Sequence, residues 1–140
     1  MVLDTRSVPQ GISAMLAFNP EADTSENTAA MEEKIKNVTS MSITQAVRST
    51  SIEGEKIKNG QMLGLMNGSI ECVADSTQEC LDKLSDKMEN ASFITLFYGI
   101  DVSDEEAKVA ESSIKAKHSD AEVTVINGGQ PLYDFIISVE

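Results

Sequence analysis

Phe93-Ile94-Thr95-Leu96-Phe97-Tyr98, then Ser103-Asp104-Glu105-Glu106, then Glu122-Val123-Thr124-Val125-Ile126: these three stretches decide the architecture. The first and third are short runs rich in apolar and β-branched residues, the signature of buried strands. The second is a capping box, in which Ser103 and Glu106 satisfy each other's backbone N–H groups. The helix it opens presents Ala107, Ala110 and Ile114 before it frays near His118. Strand, helix, strand in this space is a βαβ unit, whose crossover is right-handed and whose strands run parallel.

Working outward, Gln61 to Met66 and Ser69 to Ala74 flank Asn67-Gly68, so a β-hairpin is expected there. Ser76-Thr77-Gln78-Glu79 reads as another capping box, opening a helix with Cys80, Leu81, Leu84 and Met88 along its buried side. Val2 to Asp4 reads as the stub of a strand, and Ser7 then caps a helix with Pro9 in its first turn and Ile12, Met15 and Leu16 on one side. That helix ends near Asn19-Pro20, and a second starts at Asp23 or Thr24 with Met31, Ile35 and Val38 spaced along it. Met41 to Thr50 alternates as a strand, with Met41, Ile43, Gln45, Val47 and Ser49 on one face. The other face holds Ser42, Thr44, Ala46, Arg48 and Thr50 and is polar. Ser51 to Gly60 contains two glycines and reads as an irregular excursion with a short edge strand. Phe135 to Val139 is the closing strand. The order predicts an α/β fold: a mixed sheet sandwiched with helices, built from a βαβ unit and a hairpin, with residues 1–140 forming a single domain.

Composition narrows the function classes. A chain of 140 residues buries roughly two thirds of its unfolded surface, enough for one core. Aromatics are 4% with no Trp, so seven Met help the aliphatics to fill it. With 23 acidic against 11 basic residues the net charge is -12, which repels nucleic acid and anionic membrane surfaces. No run approaches the ~20 apolar residues of a membrane span. Asp4 and Arg6 interrupt any leader-like stretch, so a cytoplasmic protein is expected. Cys72 and Cys80 match no zinc-ligand spacing and read as buried free thiols, since a reducing compartment disfavours a disulfide.

Catalytic constellations are poor. His118 is the only histidine and sits on a polar helix end, with no nucleophile and orienter to make a triad. Asp101, Asp104, Glu105 and Glu106 are explained by the helix dipole and the capping box without a metal. Gly128-Gly129 lacks the rest of a phosphate-binding fingerprint.

Two constellations remain. Thr5, Ser7 and Gln10 sit at the turn into the first helix, where backbone N–H groups could receive a carboxylate or phosphate, or where Ser7 simply caps. Gly128-Gly129-Gln130-Pro131-Leu132-Tyr133 is a shaped loop whose Tyr133 suits an interface anchor or a half-buried structural role. With Arg48 on the polar strand face, the ligand or partner-binding candidates are Thr5, Ser7, Gln10, Arg48, Gly128, Gly129, Gln130 and Tyr133; no catalytic residue and no metal ligand is assigned.

Head and tail together resemble one family. Thr5-Arg6-Ser7-Val8-Pro9-Gln10-Gly11, Leu16-Ala17-Phe18-Asn19-Pro20-Glu21-Ala22, Phe97-Tyr98-Gly99 and Gly128-Gly129-Gln130-Pro131-Leu132-Tyr133 occur in order. They look like the C-terminal region of the large subunit of bacterial fatty-acid kinase, the DAK-like or dihydroxyacetone-kinase-related family. The family head usually reads Pro-Thr, and here Asp4 takes that proline's place. The element order is also similar to the second half of DegV-like fatty-acid-binding proteins.

The resemblance implies a C-terminal piece of a longer kinase subunit, without catalysis or cofactors of its own; ATP and magnesium belong to an upstream kinase domain. The implied partner is a fatty-acid-binding protein carrying an acyl chain, docked so that the kinase domain can form acyl phosphate. Nucleic acid and integral membrane association are not expected, and a homodimer is compatible. The DegV likeness implies instead a direct fatty-acid or small-ligand binding module, with a deep apolar pocket beside Thr5 and Ser7. A hydrolase or phosphatase is the third reading, suggested by family labels alone.

Overall fold

The structure, a computed structural model, describes residues 1–52 and 54–140. In chain order its elements are α1 (Val8–Ala17), α2 (Thr24–Lys36), β1 (Thr39–Gln45), β2 (Thr50–Ile52), β3 (Glu55–Ile57), β4 (Met62–Met66) and β5 (Ser69–Ala74). There follow α3 (Thr77–Ser85), β6 (Phe93–Tyr98), α4 (Asp104–Lys117), β7 (Glu122–Asn127) and β8 (Tyr133–Val139). β5, β4, β1, β8, β6 and β7 lie side by side, in that order, in one six-stranded sheet. β6 and β7 pair in parallel and every other neighbour is antiparallel, so the sheet is mixed. The βαβ unit is thus present with α4 as its crossover.

Alternation along β1 sets the two faces. Met41 and Ile43 point into the main core with Leu96, Ile94, Ile137 and Phe135, and α3 and α4 close over them through Leu81, Leu84, Ala110 and Ile114. Ser40 and Ser42 point to the other face, where α1 and α2 pack on each other and α1 touches β8. Ser7 and Ser13 of the α1 region reach this face by hydrogen bonds, from Oγ to Ser40 Oγ (2.5 Å) and from Oγ to the Glu140 carboxylate (2.8 Å).

β8 is the seam. It pairs on one side with β1, Ser40 opposite Ser138, and on the other with β6, Thr95 opposite Ser138. To reach that place the chain leaves β7, passes over the end of β6 and turns back. Gly99 is where the crossing loop touches down. Its N–H donates to the Asp134 carbonyl (2.8 Å) and that of Ile100 to Gln130 (3.0 Å), while a Cβ on Gly99 would collide with the Tyr133 carbonyl oxygen.

Several expectations are corrected. Val2 to Asp4 form no strand; Thr5 N–H closes a tight turn on the Leu3 carbonyl instead (3.0 Å). The strand expected over Met41 to Thr50 ends at Gln45, and the next paired residues, β2 and β3, make a separate two-stranded ribbon where one edge strand was expected. Glu53, within that ribbon's turn region in the sequence, lies outside the described residues. The box at Ser76 is half made: Ser76 Oγ accepts from Glu79 N–H (3.2 Å), but the Glu79 carboxylate goes to the N–H of Asp75 (3.3 Å). The final strand starts two residues early, at Tyr133. Cys80 is buried as expected and Cys72 only half-buried.

The largest correction concerns α1. Its predicted apolar side is not its inner side: the helix buries Pro9, Ser13 and Ala14, and leaves Met15 72% and Leu16 81% exposed. Val8, Ile12 and Phe18 are exposed as well. Small residues let α1 approach α2 and β8 closely, and the large apolar ones are left outside.

Candidate functional site

A cavity of about 1050 Å³ lies between the start of α1, the end of α2 and the second face of the sheet. Residues from the two ends of the chain meet there. Ser7 and Gln10 line it from the helix start, and Tyr133 from the start of β8. Ser40, Ser42, Leu65 and Ile136 form its sheet wall, Pro9 and Ile35 its helical wall, and Val38 closes it from the link between α2 and β1. At the mouth the charges balance, with Asp4 and Glu32 against Arg6 and Lys36. Arg6 is paired with Asp4 through Nε (3.0 Å) and Nη2 (3.2 Å), which holds its pKa above the ordinary value, although both side chains are solvent-exposed and such a pair is weak.

The helix start is largely self-satisfied. Ser7 Oγ accepts from Gln10 N–H (3.3 Å), and the Gln10 amide oxygen reaches back to the N–H of Arg6 (2.8 Å). As at Ser76, the box is half made: Gln10 takes the N–H of Arg6 and not that of the cap residue Ser7. Asn67, in the hairpin turn between β4 and β5, braces the opposite wall: with φ of 51° it accepts from Ser40 N–H (3.1 Å) and donates from its own N–H to the Ser40 carbonyl (2.7 Å).

The other candidates lie apart from the cavity. Thr5 is exposed outside its lining, and Arg48 is exposed in the segment between β1 and β2. Gly128 and Gly129 both give their N–H groups to the Tyr98 carbonyl (3.0 and 3.2 Å), and Gln130 Nε2 donates to the carbonyls of Phe97 (2.9 Å) and Tyr133 (3.3 Å). These three residues close the end of β6. Beyond them Leu132 projects 77% exposed, held at φ 71° in a conformation that costs a non-glycine residue about 1–2 kcal/mol. Its carbonyl is fixed by Thr44 Oγ1 (2.7 Å).

Composition alone did not reveal Ser40 and Ser42 as lining residues, although their alternation with Met41 and Ile43 had placed Ser42 on the polar side. Asn67 was legible only as a turn residue. Register shows what the sheet offers beyond the cavity: Ile70, Leu65, Ser42, Ile136, Phe97 and Ile126 sit opposite one another across all six strands. At the β6–β7 end this face lies open, with Ile126 of the row and Phe93 further along β6 exposed.

The sequence profile of the FakA-like C-terminal family, named for a fatty acid kinase, matches residues 1–140. The chain belongs to that family. The Bacillus subtilis protein YloV is 39% identical over 141 residues, covering 99% of this chain and 26% of YloV. Uncharacterized proteins of Staphylococcus aureus strains USA300 and N315 are each 34% identical over 142 residues, again across 26% of their length. The FakA-like C-terminal region thus spans about a quarter of these relatives. Its fold is similar to part of a DegV-family protein of Ruminococcus gnavus whose crystal structure was refined with vaccenic acid: TM-score 0.58, 15% identity, covering 94% of this chain and 54% of that one. Among the described residues, no helix of this family member is long and apolar enough to cross a membrane.

Proposed function

We propose that this domain is the non-catalytic docking module of a fatty-acid kinase subunit. It holds an acyl-carrying fatty-acid-binding protein so that a kinase domain elsewhere in the longer protein, supplied with ATP and magnesium, forms acyl phosphate. Family membership supports the kinase context. The observation that carries the docking role is α1, which turns Val8, Met15, Leu16 and Phe18 to solvent on a chain of net charge -12. A helix that spends its small residues inward and its large apolar ones outward is built for contact with another surface. Leu132 and Tyr133 add an exposed apolar tip held on a rigid loop.

A second reading has its own support. The cavity beside Ser7 matches the upper limit of the size of ligand sites, about 1,000 Å³, and has partly apolar walls, so direct fatty-acid binding in the manner implied by the DegV-like fold is the alternative. Against it, the Gln10 N–H is taken by Ser7, Pro9 has none to give, and the Arg6 guanidinium is paired with Asp4 at the surface.

Calorimetric titration separates the two. The purified domain is titrated with the cognate binding protein, acyl-loaded and empty, and with free fatty acid, while sedimentation reports self-association. Saturable binding to the protein, lost when Leu16 is replaced by Asp, supports docking. Binding to free fatty acid alone moves the function to the cavity, and dimerisation through α1 assigns the exposed residues to a second copy.

A further inference from the structure

On the core side of the sheet's outer hairpin, two thiols from different elements face each other. Cys72 of β5 and Cys80 of α3 have their sulfurs 3.6 Å apart, and Cys72 Sγ lies 3.8 Å from the Cys80 carbonyl oxygen. Gly64 on the neighbouring strand β4 makes room for them: a Cβ there would stand 2.5 Å from one sulfur and 3.0 Å from the other. Cys72 is half-buried and reachable from solvent, whereas Cys80 is fully enclosed. Closing to a disulfide requires the sulfurs to approach by about 1.5 Å, a shift within reach of χ1 rotation at the half-open Cys72.

We propose that Cys72 and Cys80 form a peroxide-reactive thiol pair, with Cys72 the attacking and Cys80 the resolving cysteine. The Cys72 thiolate attacks one oxygen of hydrogen peroxide, the O–O bond breaks, hydroxide leaves, and Cys72 becomes a sulfenic acid. Cys80, giving its proton to that hydroxide, then attacks the Cys72 sulfur; the S–O bond breaks and a hydroxide leaves, taking up a proton as water. Two thiols and one peroxide thus give one disulfide and two waters, the sulfurs being oxidised and the peroxide reduced. The asymmetry of the pair fits this division of labour. A hydrogen bond from Cys80 draws the Cys72 thiol below the ordinary range, to about 7, with Lys83 assisting, while the same interaction and burial push Cys80 up. Only the outer sulfur is both accessible and ionised near neutrality.

The product would staple β5, an edge strand, to α3. Hydrogen peroxide is added to the purified chain, and intact mass and thiol content after unfolding are followed. The expected result is loss of two hydrogens with both thiols vanishing together, sulfenic acid trapped on Cys72 by a dione in Cys80→Ser, and no reaction in Cys72→Ser. The proposal is overturned if the oxidised wild-type chain keeps a titratable Cys80 while Cys72 gains two or three oxygens, or if wild type reacts no faster than Cys72→Ser. The wild-type mass alone decides the first point, so neither variant needs to fold for the proposal to fail.

Discussion

Gln130 donates from Nε2 to the carbonyl of Phe97 at 2.9 Å, so a side chain of the β7–β8 loop binds the backbone of β6 one residue before the carbonyl of Tyr98, which Gly128 and Gly129 take. The same nitrogen reaches the Tyr133 carbonyl, tying the start of β8 and the backbone of β6 to one amide. Replacing Gln130 by Ala strands the half-buried Phe97 carbonyl, the Tyr133 carbonyl being open to water, and is expected to cost about 1 kcal/mol in urea unfolding. Binding of the partner should survive, because the amide faces inward.

Gly99 bears the loop directly. An added methyl would meet backbone, the Tyr133 carbonyl oxygen and, at 2.8 Å, that of Gln130, neither of which can rotate away. Gly99→Ala is therefore expected to lower stability by about 3 kcal/mol or more, seen as a fall of roughly 10 °C in Tm.

Leu132 presents the opposite case. Asn is at ease at positive φ, so Leu132→Asn should raise stability by about 0.5–1 kcal/mol while removing an exposed apolar side chain. If the loop tip is part of the docking surface, titration will show weaker partner binding on a more stable domain. Unchanged binding would restrict docking to α1.

Met15 and Leu16 test α1 itself. Both are exposed, so Asp at either position should change stability by under about 0.5 kcal/mol beyond the helix-propensity difference. Partner affinity should fall at least tenfold if the helix is the contact. Equal affinity for variant and wild type would remove α1 from the interface.

Glu106 gives the pH prediction. The Ser103 N–H, then the Ser103 hydroxyl, hold its carboxylate below the ordinary value of 4.5. Because the folded pKa is depressed, the stabilisation is fully present above about 4.5 and is lost as pH falls through the folded value. Glu106→Gln keeps a capping amide without the charge, so it should trail wild type by about 0.3–1 kcal/mol at pH 7. Once the pH has fallen below the folded value of Glu106, the two unfolding curves should converge.

What the sequence disclosed depended on how local each signal was. The Asn67-Gly68 turn, the Ser103 box and the β6–α4–β7 unit are set by neighbouring residues and were legible. The inverted burial of α1 was not, because periodicity shows that Ile12, Met15 and Leu16 share a side but not what lies beside it; Ser13 and Ala14 gave the closer fit to α2 and β8. The early end of β1 at Gln45 was equally hidden, since alternation runs on through Val47 after the pairing partner has gone. At the candidate site, Ser7 was read as a cap and is one. That it meets Tyr133 across one cavity depends on a pairing between residues nearly a whole chain apart, which no local pattern carries.

The position of β8 has a consequence for how the chain is made. Until Tyr133–Val139 has left the ribosome, β1, β4 and β5 can assemble as one half-sheet and β6 and β7 as another, with no strand to join them. Met41, Ile43, Ile94 and Leu96, all buried beside β8 in the finished protein, are then exposed along two open strand edges. The nascent domain is thus at its most adhesive just before β8 emerges, and folding waits for the last of the six strands of its sheet.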